Sequence, residues 1–110
     1  MTDTELHLRE AIIAKCRWMN AAGLNQGTSG NISARHGKTM LISPSATSYD
    51  SLSPDMIAAM PIDGEYGSWN GPLKPSTEWR FHLDAIEQWQ RDQQWQRDRM
   101  KDKTNGRRRN

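Results

Sequence analysis

Residues 27–33 have the sequence Gly-Thr-Ser-Gly-Asn-Ile-Ser, in which two glycines, hydroxyl side chains and a carboxamide lead directly into apolar residues. Glycines can adopt positive φ and leave space against the backbone, and consecutive N–H groups with short hydroxyls can converge on a phosphate. The same residue types dominate ordinary turns. The segment lacks the Gly-Lys-Ser/Thr ending and the Gly-x-Gly-x-x-Gly spacing of the familiar nucleotide loops. It therefore indicates either a plain turn or an anion-binding loop of another kind.

Two further polar segments follow in the sequence. Residues 40–47 begin with apolar residues and end in small hydroxyl residues, which predicts a strand that delivers a second polar loop. Ser76 and Thr77 precede Glu78 at a predicted helix start, where a serine can cap the helix and free N–H groups favour an anion. A proline, a serine and an acidic residue in this order are also ordinary helix initiation. On the residues alone, a structural and a catalytic role for Glu78 both stay open.

Residues 23–33, 41–45 and 74–82 together resemble, in order and spacing, the N-terminal part of the class II aldolase/adducin family, including its L-fuculose-phosphate aldolase-like members. The resemblance implies an α/β fold, a class II aldolase-like sheet flanked by helices, of which this chain would hold the N-terminal part. It also implies that a sugar phosphate is held among three loops, matched here by Gly30, Asn31, Ser45, Ala46, Ser76 and Thr77.

The resemblance further implies a catalytic role for Glu78 as the acid/base beside a zinc ion, which it can also ligate. Relatives bind zinc through three histidines, two of them in a His-x-His pair, whereas this chain has only His7, His36 and His82 and no such pair. A catalytic zinc site needs about three protein ligands. We therefore expect that Zn²⁺, the family's cofactor, is not retained by this chain. The i,i+4 spacing of Glu78 and His82 permits a metal pair, but packing or capping is the favoured role for His82.

The function predicted from this resemblance is zinc-dependent aldol cleavage of a phosphorylated ketose such as L-fuculose phosphate. The chain would be a truncated and inactive fragment of such a lyase, and relatives imply a homo-oligomer, a tetramer. The alternative is a non-catalytic, adducin-like interaction module. Retention of Ser76, Thr77 and Glu78 argues against that alternative, because a purely structural descendant need not keep a base. Ala46 stands where relatives often have glycine, which reduces the conformational freedom of that loop.

The sequence changes character after residue 84. Residues 88–93 nearly repeat as residues 94–99, and residues 85–110 have eight Lys and Arg against four Asp and Glu, a net charge of +4. Residues 1–84 have seven against nine, a net charge of −2. The predicted division is therefore an N-terminal part of the class II aldolase/adducin domain at 1–84 and a divergent polar, basic repeat tail at 85–110. A truncation, a frameshift or a chimeric gene would each give such a pattern.

Composition sets further bounds. The chain of 110 residues is 35% hydrophobic and has one cysteine, so we expect a small core and no internal disulfide. It has no apolar run long enough to span a bilayer and no secretory leader, which predicts a cytoplasmic chain without membrane association. The tryptophans of the tail lie beside arginines and could stack on nucleic acid bases, but the interleaved Asp92 and Asp98 make nucleic acid an unfavoured partner.

The local patterns predict the order of the elements. Thr2 and Glu5 have capping-box spacing and Gly23 is a natural stop, which predicts a helix between them. The helix has a predicted apolar stripe of Leu8, Ala11, Ile12, Cys16 and Met19. Strands are predicted at 32–35, 39–43 and 57–62, with a helical turn at 53–55. A second helix should run from Ser76 into the tail and fray before residue 105, with its apolar residues used for packing, namely Trp79, Phe81 and Leu83.

Overall fold

The computed structural model describes residues 1–23 and 31–108, with side chains described up to residue 100. The chain forms helix α1 (Asp3–Ala21), strands β1 (Ser33–His36), β2 (Thr39–Ile42) and β3 (Ala58–Pro61), and helix α2 (Trp79–Arg108). Two short 3-10 turns, Tyr49–Ser51 and Pro54–Met56, lie between β2 and β3. The predicted strands and the predicted turn at 53–55 are therefore confirmed to within about one residue at most ends.

Helix α1 has the predicted ends. The Thr2 hydroxyl accepts a hydrogen bond from the Glu5 N–H at 3.1 Å, and Gly23 adopts a φ of +74° just after the helix. The predicted stripe is partly wrong, because Ala11 is exposed. Position 11 lies about 140° around the helix from Cys16 at 100° per residue. The buried face is centred on Cys16 instead and consists of Arg9, Ile12, Ile13 and Cys16.

The strands form one antiparallel sheet in the order β1-β2-β3. Successive side chains of a strand point to opposite faces, so Leu41 and its neighbours in β2 enter different layers of the core. Leu41 packs with the α1 residues Ile12 and Cys16. Met40 and Ile42 pack on the other face with Leu83 of α2. The sheet is thus covered by α1 on one face and by the start of α2 on the other, which confirms the predicted sheet flanked by helices.

The segment between β2 and β3 is fixed to α1 by two arginines. Arg9 is buried and donates from one guanidinium nitrogen to the carbonyls of Pro54 at 2.9 Å and Ile57 at 2.7 Å. Arg17 donates to the Tyr49 carbonyl at 3.1 Å. Buried carbonyls need partners, and these bonds supply them for a segment with little regular structure.

Helix α2 is the longest element, with 30 residues that begin at Trp79 and continue across residue 84 to Arg108. The sequence predicted that this helix frays before residue 105, but the helix continues to Arg108. The good helix formers before residue 105 favour this continuation. Leu83 is buried, but Phe81 is 73% exposed, so its predicted packing role is wrong. Side chains two positions apart on a helix point about 200° away from each other, so only one of Phe81 and Leu83 can face the sheet. None of the described helices is long and apolar enough to cross a membrane.

Candidate functional site

Three of the polar segments singled out in the sequence lie side by side at one end of the β1–β2 hairpin. Ser43, at the end of β2, donates its N–H to the Ile32 carbonyl at 3.0 Å, and its own carbonyl accepts from the Ser76 N–H at 2.9 Å. The Ser45 N–H donates to the Lys74 carbonyl at 2.9 Å. These backbone bonds join the segment that begins at Asn31 to the loop after β2, and that loop to the segment before α2. Gly30, also predicted at this site, lies outside the described residues.

Ser43 connects these segments, and the sequence did not single it out. Its buried hydroxyl accepts a hydrogen bond from the Ile32 N–H at 3.1 Å. The Ser43 side chain also forms a hydrogen bond with the Cys16 thiol of α1. Burial raises the pKa of this thiol, and the hydrogen bond with Ser43 opposes that shift. The sequence feature that could have identified Ser43 is a hydroxyl residue directly after three apolar strand residues. A hydroxyl at a buried position needs partners and therefore marks a junction.

The loop after β2 contains the predicted residues Ser45 and Ala46. The N–H of Ser45 is occupied by Lys74, so its hydroxyl is the group that remains to bind a ligand. Ala46 is exposed and adopts a φ of +51°, in the left-handed region that favours glycine. The Thr47 hydroxyl donates to the Ser45 carbonyl at 2.9 Å and helps to hold this turn. The loss of conformational freedom expected for alanine at position 46 thus falls where the backbone needs that freedom.

The segment before α2 presents the remaining predicted residues. Ser76 is buried, and its hydroxyl accepts a hydrogen bond from the Glu78 N–H at 3.2 Å, which is the expected cap-like contact. The regular helix starts three residues later than Ser76, at Trp79. Thr77 and Glu78 are exposed at this helix start. A carboxylate and a hydroxyl therefore reach solvent at the point where the N-terminal end of α2 contributes a partial positive charge.

His82, one turn further along α2, contacts the first of the three segments. Its Nδ1 lies 2.6 Å from the Ser33 hydroxyl, and its Nε2 contacts the carboxamide oxygen Oδ1 of Asn31. Burial lowers the pKa of His82, and the nearby Glu78 carboxylate opposes this shift. Beside the ring lies a groove of about 390 Å³ between β1 and α2, lined by Ser33, Arg35, His82, Ala85, Ile86 and Trp89.

Comparison with known proteins shows which family has this arrangement. A family model described as the Class II Aldolase and Adducin N-terminal domain matches residues 10–92, which include all of the described loops and Glu78. The chain belongs to this family. The match begins within α1 and ends in α2, eight residues beyond residue 84.

Individual members give the same result. A 5-methylthioribulose-1-phosphate/5-deoxyribulose-1-phosphate aldolase of Escherichia coli O45:K1 is 50% identical over 78 residues, which are 71% of this chain and 35% of the relative. The L-fuculose phosphate aldolase of Escherichia coli K12 is 44% identical over 80 residues, or 73% of this chain and 36% of the relative. A solved L-fuculose 1-phosphate aldolase superposes with a TM-score of 0.66 at 26% identity, over 74% of this chain and 38% of that one. The chain thus spans little more than a third of the length of the class II aldolases it matches.

The described residues do not fit the zinc site that the family resemblance implies. Within the part of the chain that the structure describes, no group of three or more His, Cys, Asp or Glu side chains could hold a metal ion. Both ring nitrogens of His82 are occupied by Ser33 and Asn31. His7 is exposed on α1, and His36 ends β1. Glu78 therefore has no companion ligands among these residues.

The tryptophans of the repeat contact cations of the chain itself. The guanidinium of Arg35 lies 5.9 Å from the ring centre of Trp89, and that of Arg99 lies 4.8 Å from the ring centre of Trp95. Both rings remain more than half exposed. A stacked arginine covers part of the ring face that a base would use. The unfavoured status of nucleic acid as a partner stays a prediction.

Proposed function

We propose that the chain forms the phosphate-binding and acid-base part of a sugar-phosphate aldolase. The observation that carries the proposal is the side-by-side arrangement of the Asn31, Ser45–Ala46 and Ser76–Thr77 segments, held by backbone hydrogen bonds next to Glu78. The names of both groups of relatives described above are those of aldolases that act on a phosphorylated ketose. A phosphorylated ketose is accordingly the substrate class we propose.

The proposed phosphate site uses neutral donors. The Asn31 amide and the hydroxyls of Ser45, Ser76 and Thr77 can each donate a hydrogen bond. The N-terminal end of α2 adds a partial positive charge that favours an anion. We include Gly30 and Ala46 on the family resemblance, as backbone donors. A cradle of this kind binds a phosphate without the lysine of the nucleotide loops.

Glu78 is proposed as the group that moves the proton. Aldol cleavage of a ketose needs a base for the hydroxyl that becomes the aldehyde, and a proton must return to the enediolate carbon. The Glu78 carboxylate is exposed and follows directly after the proposed phosphate ligands Ser76 and Thr77. Its N–H is held by the Ser76 hydroxyl, so the same residue that would bind phosphate also positions the backbone of the base. In a whole enzyme this fixes the distance between phosphate and base.

We further propose that the 110-residue chain alone holds no stoichiometric zinc and does not cleave a ketose phosphate. The poor fit of the described residues to a zinc site supports this. For the whole protein we propose a homo-oligomer in the cytoplasm, on the family resemblance and the composition. The division into a domain part at 1–84 and a polar tail at 85–110 is also a proposal, and it rests on the change in sequence character.

Phosphate binding tests the proposal. The ¹⁵N-labelled full chain is titrated with inorganic phosphate and with phosphoglycolate, and we expect saturable shifts at Asn31, Ser45, Ala46 and Thr77. The dissociation constant should be on the order of millimolar, because much of the site's wall would come from outside this chain. Thr77→Val should weaken binding, while the matched control Ser53→Ala, remote from these loops, should not.

Two results would contradict the proposal. Shifts confined to the arginines near the C-terminus would show that charge alone attracts the anion, and would favour the non-catalytic interaction module. For the metal, elemental analysis of the purified chain should find far less than one zinc per chain. A tightly bound zinc that Glu78→Gln releases would show that the chain carries a complete metal site.

A further inference from the structure

The ring of His82 bridges two groups that belong to different parts of the molecule. Ser33 lies in β1 and Asn31 lies two residues before it, whereas His82 lies in α2. The ring contacts the Ser33 hydroxyl through Nδ1 and the Asn31 Oδ1 through Nε2. It is half-buried, with the Glu78 carboxylate one turn before it and the Arg35 guanidinium lining the same groove.

The partners determine which nitrogen carries the proton. The Oδ1 atom of Asn31 can only accept a hydrogen bond, so Nε2 must be the donor. In a neutral ring Nδ1 is then the acceptor, and the Ser33 hydroxyl can donate to it at 2.6 Å. The hydrogen bonds thus run in one direction, from Ser33 to His82 to Asn31.

This direction has a consequence for Asn31. A carboxamide has an oxygen that accepts and an NH2 group that donates, and it can present either one after a rotation of about 180°. His82 occupies the oxygen, so the two N–H bonds of Nδ2 are left to face a ligand. An anion requires donors, and a carboxamide oxygen turned toward a phosphate would repel it.

We propose that His82 is a positioning residue that orients the Asn31 carboxamide with its NH2 group toward the phosphate, and that Ser33 selects the histidine tautomer which does so. The proposal rests on the phosphate site proposed above. It assigns a function to an interaction between α2 and the start of β1 that the sequence indicated only as packing or capping. It also predicts that the orientation of Asn31 depends on a proton at Nε2 of His82, which the neutral tautomer protonated only at Nδ1 lacks.

Two substitutions of His82 by amide side chains distinguish the role of Nε2 from that of Nδ1. In His82→Gln the side-chain nitrogen can reach the position of Nε2 and still donate to Asn31. In His82→Asn the amide ends near the position of Nδ1, so the donor to Asn31 is lost. We expect His82→Gln to bind inorganic phosphate close to the level of the parent chain, and His82→Asn to bind it about tenfold more weakly, the change expected for one lost hydrogen bond to a charged group. The exposed His7 provides the control, His7→Gln, which should leave binding unchanged.

The second measurement is direct and does not depend on phosphate. Long-range ¹H–¹⁵N spectra of the full chain at pH 8 should show His82 as the neutral tautomer protonated at Nε2. Ser33→Ala removes the donor to Nδ1 and should give a mixture of both tautomers, with phosphate binding between that of the parent and that of His82→Asn. A merely structural contact would not make the tautomer and the phosphate affinity change together.

The outcomes are distinguishable. If the parent chain binds phosphate and His82→Asn binds it equally well, the positioning role is wrong and the phosphate site stands. An Nδ1-protonated His82 in the parent chain also overturns the positioning role, even if His82→Asn fails to fold. If the parent chain does not bind phosphate at all, both proposals fail.

Discussion

The two parts of α2 are stabilised in different ways. Up to Gln90 the helix belongs to what we call the packed body, residues 1–23 and 31–90, and it contacts the sheet through Leu83 and Ile86. From residue 91 onward, in what we call the distal helix (91–108), Gln94 donates to Asp98 and Arg97 donates to the Gln93 carbonyl, both within the helix. One continuous helix therefore passes from tertiary to local stabilisation.

The last contacts before this change are made by Arg35 of β1. Its guanidinium lies over the Trp89 ring, and it also lies 2.9 and 3.0 Å from the Gln90 amide, whose oxygen accepts both bonds in the orientation that satisfies it. Beyond that point each local pair contributes only about 0.2–0.5 kcal/mol. Helix continuity is thus no measure of domain extent, and the described residues of the candidate site all lie within the packed body.

Replacing a buried side chain of α2 and, separately, an exposed one should give the largest difference in the free energy of unfolding. Leu83 is 1% exposed, and Leu83→Ala should lower the free energy of unfolding by about 3 kcal/mol, because it leaves a cavity under the sheet. Trp95→Ala removes a larger side chain that is 58% exposed, and it should change the free energy of unfolding by less than about 0.5 kcal/mol. Urea denaturation measures both. Equal losses would mean that the distal helix is packed against something in solution.

Truncation tests where the packed body ends. A chain that stops after Gln90 keeps all contacts with Arg35, and its free energy of unfolding should stay within about 0.5 kcal/mol of the parent. A chain that stops after Asp84 loses Ile86, Trp89 and Gln90, and should lose about 2 kcal/mol. Thermal denaturation of the two shortened chains, side by side, decides the matter. If the cut after Asp84 is as harmless as the cut after Gln90, the predicted boundary at residue 84 is the physical one.

The sequence predicted the packed body well where local signals agree with the fold. Thr2, Glu5 and Gly23 fix α1 through backbone chemistry that needs no tertiary partner. The same holds for the hairpin turn at Gly37, which has a φ of +60°. The order of the three polar segments along the sequence, together with the family resemblance, was enough to indicate a common site.

Tertiary features were beyond such local signals. Arg9 reads as a solvated helix residue, yet it is buried because the carbonyls of Pro54 and Ile57 need donors. Phe81 reads as a core residue, but it lies on the solvent side of α2, and Leu83 packs against the sheet instead. The role of Ser43 depends on Cys16 and Ile32, which approach it from other elements. The misses at Arg9 and Ser43 concern partners that are distant in sequence, and the miss at Phe81 concerns the face of α2 that packs against the sheet.

Replacing Ala46, which lies within the packed body, should increase the stability of the chain. An alanine in the left-handed region is strained by about 1 kcal/mol, while glycine costs more entropy on folding. Ala46→Gly should therefore raise the free energy of unfolding by about 0.5 kcal/mol. The matched control is Ala34→Gly in the extended backbone of β1, which should lower it by about 1 kcal/mol. If urea denaturation shows that Ala46→Gly lowers the free energy of unfolding as Ala34→Gly does, the φ of +51° at Ala46 is not kept in solution.

The smallest expected effect is a pH dependence that comes from His82. Burial lowers the pKa of His82 in the folded chain below its ordinary value of 6.5, so the unfolded chain binds the proton more readily. Stability should be greatest above that value and should fall as the pH decreases from there through the lower folded pKa. The effect is small because the ring is only half-buried and the Glu78 carboxylate opposes the shift. His82→Gln should flatten the decrease in melting temperature between about pH 7 and pH 5, whereas His7→Gln should leave it unchanged. An unaltered slope in His82→Gln would show that burial does not lower the pKa of His82 in the folded chain in solution.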